Sequence, residues 1–306
     1  MGLQPQRIDN LLEFLDKIES TLNNSDLDTH KRNEIIEDLR LEVIDVLRIA
    51  FSEGDRILRR SAIYGLSKVG LDRSIDFFIA ALNDQDEHVR GWAAEALGKL
   101  NDSRAIVPLI KALADENHYV CFNVATALKH FTPEQLLNHL LRALQNPEHQ
   151  IRRRVCKLMG ELNDQRFTEA LISAIKDQDS QVRYEAAEAL RKLKNPAAIL
   201  PLISVLDDPN YDVRTAAIVA LGSFGDERVI EPLVAMLVEQ KDQRSACIEA
   251  LQNICGPENI EPLFKLMWNS KKLITDTSNL IMERLYIEGQ KMGGAHERVY
   301  QSMSSF

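Results

Sequence analysis

The chain is poor in aromatic residues, only 6% of its 306 positions. It has four cysteines, Cys121, Cys156, Cys247 and Cys255, and none of them forms a CxxC pair. No disulfide framework of a secreted domain is visible, which leaves reduced thiols as the expectation. No apolar run approaches the roughly 18 residues a membrane-spanning helix needs. The opening MGLQPQRIDN has no apolar signal core, and Gln6 stands where an N-myristoylation motif requires Ser or Thr. A basic excess is missing too. The net charge is −9, which argues against nucleic acid as a partner and against a basic membrane surface. HExxH, Walker A, GxGxxG and a Ser-His-Asp order are also absent. The reading at this level is a cytoplasmic protein, without membrane insertion and without a catalytic constellation.

What is present is repetition. Leu58, Val89, Val120, Ile151, Val182 and Val213 follow one another at intervals of 31 residues. Leu66, Leu97, Leu128, Met159, Leu190 and Leu221 do the same, and a last copy slips by one to Gln243 and Leu251. A fixed period of this size specifies a stacked solenoid with one continuous core. Each copy reads as an inner helix, a short turn and an outer helix. Inner helices are predicted near 55–69, 86–100, 117–131, 148–162, 179–194, 210–224 and 241–254. Pro108, Pro201, Pro232 and Pro262 fall in the first turns of outer helices, where a missing N–H costs nothing. Asp102, Asn163, Asn195 and Asp226 fall in the turns between helices, where caps are expected.

The fold class expected is therefore all-α, an α-solenoid of about seven helical hairpins between N- and C-terminal capping helices. Residues 1–52 read as the N-terminal cap, with helices over 7–23 and about 27–52. Residues 53–268 read as the array, its last outer helix near Pro257–Trp268. Residues 269–306 read as a capping helix, Lys271–Gly289, and a mobile tail, with a small docking segment as the alternative reading of the tail.

The segments VRGWAAEALGKL (89–100), VRYEAAEALRKL (182–193) and VRTAAIVALGSF (213–224), with outer-helix segments such as IVPLIKAL, resemble HEAT-like repeats of the phycobilin-lyase type. The resemblance covers residues 53–268. It implies two ladders, acids at Glu53, Asp84, Asp115, Asn146, Asp177 and Asp208, and arginines at Arg59, Arg90, Arg152, Arg183, Arg214 and Arg244. In such stacks these pair within and between repeats, so they read as structure and not as ligand contacts. Cys121 interrupts the arginine series.

The remaining polar positions of the inner helices define a face, usually concave in such solenoids and used for binding. Repeat one places Tyr64 there, beside Arg60 and Lys68. Repeat two places His88 and Trp92. Repeat three places His118, Tyr119, Phe122 and His130. Repeat four places Arg153 and Arg154 beside His149 and Lys157, and repeats five and six place Tyr184 and Tyr211. Six aromatic rings on one face of an aromatic-poor protein point to partner anchors, since Trp, Tyr and Arg dominate binding hot spots. The bland alternative is that one or two of them pack under neighbouring side chains or the caps. Exposure of Trp92 and Phe122 separates the two readings.

The expected function is a non-catalytic protein-binding scaffold or assembly factor with one or more protein partners on the concave face. Trp92, Tyr119 and Phe122 would supply apolar anchors, and Arg153 and Arg154 carboxylate recognition. The resemblance implies the alternative, a phycobilin lyase or a chaperone for a bilin or a phycobiliprotein. In it the rings stack on a tetrapyrrole and the arginines pair with its propionates. No cofactor is expected otherwise. Deoxyhypusine hydroxylase is similar in repeat style and holds iron with His-Glu pairs after the VR positions. Here those places read Tyr184-Glu185, Gly91-Trp92, Phe122-Asn123, Arg153-Arg154 and Thr215-Ala216, so the imidazoles are missing. His118, Cys121, His130, His149 and Cys156 cluster in sequence as a metal alternative. Against it, Cys156 falls at a core position of the repeat and reads as a small buried hydrophobe.

Overall fold

The computed structural model describes residues 5–23, 28–69, 74–239 and 241–254. Among them the chain is all-α and has no strand. The expected outer helix near Pro257–Trp268, the capping helix Lys271–Gly289, the tail, Pro262 and Cys255 lie outside the described residues. The chain divides into two compact units, residues 1–143 and 144–306.

The first unit contains α1 (Pro5–Asn23), α2 (Thr29–Glu53), α3 (Arg56–Val69), α4 (Ile75–Ala81), α5 (Glu87–Leu100), α6 (Ile106–Ala112), α7 (His118–Leu128) and α8 (Pro133–Ala143). The second contains α9 (His149–Leu162), α10 (Thr168–Ala174), α11 (Ser180–Leu193), α12 (Ile199–Ile203), α13 (Tyr211–Phe224), α14 (Ile230–Glu239) and α15 (Arg244–Ile254). The odd-numbered helices from α3 to α15 are the inner helices, and their bounds follow the 31-residue period. Within the first unit α5 packs on α3 and α7. Within the second, α11 packs on α9 and α13, and α13 on α15. The pair α1 and α2 packs against α3, burying Ile8 and Leu47 there.

Side chains at the periodic positions explain the stacking. Val89, Val120, Val182 and Val213 are completely buried, as are Leu97, Leu128, Met159, Leu190 and Leu221. The glycine of the ALGxL segment lets successive inner helices approach closely. A β-carbon on Gly98 would lie 2.7 Å from Cα of Ala127, and the same distance separates Gly160 from Ala189 and Gly222 from Ala250. Such spacing cannot accommodate an added methyl group without moving the helices apart.

The turns are built by local hydrogen bonds. Asp102, Asp164, Asn195 and Asp226 each accept a backbone N–H two residues on and open one turn of 3-10 helix ahead of the outer helix. Asn163, read as a cap, is the C-cap of α9, closing it in the left-handed conformation with φ 52°, and Asp164 caps the start of the turn that follows. Asn101, Lys194 and Gly225 occupy the same left-handed position at the ends of α5, α11 and α13. Asp86, Asn117, Asp179 and Asn210 cap the inner helices that follow them.

The two polar ladders join repeat to repeat. Arg90 donates through Nε and Nη2 to Asp115 at 2.6 and 3.0 Å, Arg152 to Asp177 at 2.7 and 2.8 Å, and Arg183 to Asp208 at 2.6 and 2.9 Å. Arg59 does the same to Asp84. The Nη1 atom of each of these arginines turns back to a carbonyl of its own repeat: those of Gly54, Asp84, Asn146 and Asp177. Where Cys121 replaces arginine, its Sγ donates to the Asp115 carbonyl at 3.0 Å, so the contact within the repeat survives. The slipped last copy shifts the acid: Arg214 bonds Asp242 at 2.7 Å. Gln243, buried in place of an apolar residue, is satisfied by the Tyr211 carbonyl and the Thr215 hydroxyl.

Candidate functional site

In the first unit the inner helices bring a row of rings together. Tyr64 on α3 lies 6.2 Å from Trp92 on α5, centroid to centroid. Trp92 lies 6.1 Å from His88, edge to face, and His88 lies 5.6 Å from Tyr119 on α7. Offset and tilted arrangements at these separations are the favourable ones for aromatic pairs. Lys68 Nζ sits 5.4 Å from the Tyr64 centroid, which adds a cation to that end. Gly91 makes room for the row, because a β-carbon there would collide with Cε1 of the Tyr119 ring.

The row is held from below by charge. The carboxylate of Asp86 is buried. It accepts from Arg56 Nε at 2.7 Å and from Arg60 Nε at 2.8 Å, and also from the backbone N–H groups of His88 and Val89. Burial pushes its carboxyl up, but the bonds from Arg60, Val89 N–H and Arg56 reverse this and hold it well below the usual carboxylate range. Arg60 Nη2 also donates to His88 Nδ1 at 2.8 Å, which puts the proton of the neutral ring on Nε2. Thus Arg60 fixes the ring that bridges Trp92 and Tyr119. Arg60 shares the face with the predicted residues, but its link to His88 was not legible. It depends on Asp86 rising as an N-cap from the preceding turn.

Phe122, one turn beyond Tyr119, is 70% exposed; Tyr119 is 40% and Tyr64 47% exposed, while Trp92 is half-buried. His118 begins α7 and is exposed. His130 is exposed, with Nδ1 3.0 Å from the Thr126 carbonyl. These two histidines lie apart from the ring contacts described above.

The second unit carries the other predicted residues. Arg153 and Arg154 on α9 are half-buried, as is Tyr184 on α11. Tyr211, the first residue of α13, is 50% exposed, with the Arg214 guanidinium 5.8 Å from its centroid. Arg153 Nε is buried without a hydrogen-bond partner. Glu185 beside them has its carboxyl pushed up by burial, opposed by the charges of Lys157, Arg153 and Lys192. The predicted residues thus fall into two groups. Tyr64, His88, Trp92, Tyr119 and Phe122 belong to the first unit, and Arg153, Arg154, Tyr184 and Tyr211 to the second.

Cys121 and Cys156 are both buried, and burial raises the Cys156 thiol far above its ordinary range. Cys247 is pushed up to about 12 in the same way. Such thiols are packing groups and not ready nucleophiles or ligands. Among the described residues the grouping with metal-ligand spacing is Asp86, Glu87 and His88. The oxygens of Asp86 are already committed to Arg56, Arg60 and two backbone amides, which fits a structural carboxylate. Among the described residues no helix is long and apolar enough to cross a membrane.

No curated protein matches the chain. Among solved structures, human deoxyhypusine hydroxylase in complex with glycerol is 22% identical, over 82% of this chain and 99% of that one, with a TM-score of 0.35. An engineered protein is 18% identical over 92% and 85%, with a TM-score of 0.44. The complex of CpcE and CpcF of phycocyanin lyase from Nostoc sp. is 22% identical over 78% and 92%, with a TM-score of 0.34. The family pattern of HEAT repeats matches residues 44–129, 137–208, 168–252 and 199–276. With repeats of that pattern over most of its length, the chain belongs to the family of HEAT-repeat proteins.

Proposed function

We propose that this protein is a non-catalytic scaffold that binds a partner protein on the inner-helix face of its first unit. The observation that carries the reading is Phe122, 70% exposed beside the supported ring row of Tyr64, Trp92, His88 and Tyr119. Large apolar rings left in solvent cost free energy unless something covers them, and clustered aromatics are the usual anchors of an interface. Rings already fixed by neighbours lose little side-chain entropy when a partner arrives. Lys68 at the margin, near the Tyr64 ring, offers a charged contact for the partner's polar rim. The reading requires no cofactor.

The test is affinity capture from native extract by the full chain, comparing wild type with Phe122→Ala and with Trp92→Ala/Phe122→Ala. Captured proteins are identified by mass, and the eluate is scanned for visible absorbance. The expected result is a partner that both variants lose while their helical circular dichroism stays that of wild type. A bound pigment or a phycobiliprotein would put the bilin-handling reading first. Equal capture by wild type and both variants would refute the site.

A further inference from the structure

The second unit carries a group of cations whose hydrogen-bonding capacity its own fold uses only in part. The ladder arginines Arg152 and Arg183 are fully bonded, and Arg166, Arg191 and Arg228 each hold a nearby carboxylate. Arg153 differs. It is half-buried on the inner-helix face of α9, its Nε is enclosed without a partner, and among the described residues its guanidinium makes no hydrogen bond, although its charge is felt at Glu185. Arg214 shows a similarly unpaired Nε, but both of its Nη atoms are bonded. A guanidinium stays charged at every relevant pH; Glu185 balances part of that charge, and the terminal nitrogens keep hydrogen-bonding capacity that a further carboxylate can take up.

Its surroundings narrow the anion. Lys157 lies one turn along α9, and the Lys192 stem crosses from α11 to Gly160. Both lie near enough to Glu185 to bear on its carboxyl. Beyond α11, Tyr211 and Val219 on α13 are 50% and 42% exposed. The patch therefore combines a few spaced cations on α9 and α11 with apolar groups on α13, and Glu185 and Glu188 of α11 lie between them. A nucleic-acid backbone presents a dense, continuous series of charges and needs a correspondingly continuous basic track. Glu185 and Glu188 interrupt the cations here, which are spaced and not continuous. A peptide with spaced carboxylates and apolar residues between them matches both features.

Resting on the reading of the inner-helix face as a binding surface, we infer that α9, α11 and α13 form a site for an acidic–apolar segment of a partner protein, with Arg153 as its carboxylate anchor. Arg153 engages a carboxylate through its terminal nitrogens, Lys157 and Lys192 attract neighbouring acids, and Tyr211 and Val219 cover the apolar side chains. This site is separate in composition from the ring row of the first unit, which offers rings and few charges.

The probe is a fluorescein-labelled peptide of about twelve residues, which when extended reaches about 40 Å. Glutamate occupies every third position, with leucine and tyrosine between. Its glutamine counterpart and an oligothymidine serve as comparisons. Anisotropy titrations use the full chain, wild type, Arg153→Met, and Arg142→Met on α8 as a charge-matched control at an exposed arginine. Methionine keeps the length of the stem, and a thermal scan checks that each variant folds; Lys157→Ala provides a second variant. Wild type is expected to bind the glutamate peptide and not the glutamine one. Arg153→Met should weaken binding about tenfold or more, as loss of a charge-assisted bond predicts. Arg142→Met should leave it within about twofold, as expected for an exposed charge screened by solvent and salt. Failure of wild type to bind, equal losses in both arginine variants, or tighter binding of oligothymidine would overturn the proposal. Phe122→Ala is expected to leave peptide affinity unchanged, so failure of the first-unit site and of this one are read independently.

Discussion

Lys194 holds φ 51° at the end of α11, a conformation in which an L side chain crowds the following carbonyl. Its counterpart after α13 is Gly225, and its counterparts after α5 and α9 are asparagines. The left-handed conformation costs about 1–2 kcal/mol for a residue with a β-carbon, and the extra unfolded-state freedom of glycine returns about 0.5–1 kcal/mol of that. Lys194→Gly should therefore stabilise the protein by about 0.5–1 kcal/mol, seen as a higher urea midpoint with an unchanged slope. A lower midpoint would show that Lys194 makes a contact worth more than the strain. At this scale the sequence was partly misleading. Asn163 and Asp164 are neighbours of similar chemistry, and only the backbone conformation reveals that the first closes one helix while the second opens the next. The capping role of Asp86 was also hidden, because the acid two residues before it dominates the repeat pattern. Buried and exposed positions were legible: every valine or isoleucine of the 31-residue series is buried, and Phe122 is out in solvent.

At the scale of elements, the inner helices are joined by arginine–aspartate pairs that are nearly enclosed. The side chains of Arg183 and Asp208 are 13% and 8% exposed. Removing one partner strands the other, so Arg183→Ala should cost about 3 kcal/mol. The exposed Arg104–Asp102 pair is the comparison, and Arg104→Ala should leave stability close to unchanged. The same geometry sets the acid response. Burial pushes the carboxyls of Asp177 and Asp208 up, but Arg152, Arg183 and the amides of Asp179 and Asn210 more than reverse it, so both fall below their ordinary value. Such depressed groups contribute stability that is present above the unfolded-state value, about 3.9 for aspartate, and is lost as the pH falls through the lower folded one. Chemical denaturation followed across pH should show a plateau above about pH 5 and a decline below about pH 4. The decline should be shallower in Asp208→Asn. A stability curve flat to lower pH would mean that the ladders are ornamental to folding. The period announced these ladders, including the gap at Cys121. It could not announce that the sulfur keeps the carbonyl contact, nor that the slipped last copy recruits Asp242 from a different position.

For the molecule as a whole, the repeat pattern made a HEAT-type stack legible. Periodicity treats all copies alike and does not show where the chain divides. Tyr64, Trp92, Tyr119 and Phe122 belong to the unit of residues 1–143, and Arg153, Arg154, Tyr184 and Tyr211 to that of 144–306. Two surfaces of different chemistry on one acidic chain should respond differently to salt. Raising ionic strength from about 0.1 M to about 1 M shortens the screening length from about 10 Å to about 3 Å. Attraction between Arg153, Lys157 and an acidic peptide weakens accordingly, and the affinity of the glutamate probe should fall about tenfold over that range. Contact through Phe122, Tyr119 and Trp92 depends on apolar burial, which salt does not screen. The partner captured through the first unit should stay bound when the same salt is used as a wash. Measuring both on wild-type protein in parallel separates the two surfaces without a mutation. If the captured partner elutes together with the acidic probe, its hold is electrostatic, and the aromatic row is not what anchors it.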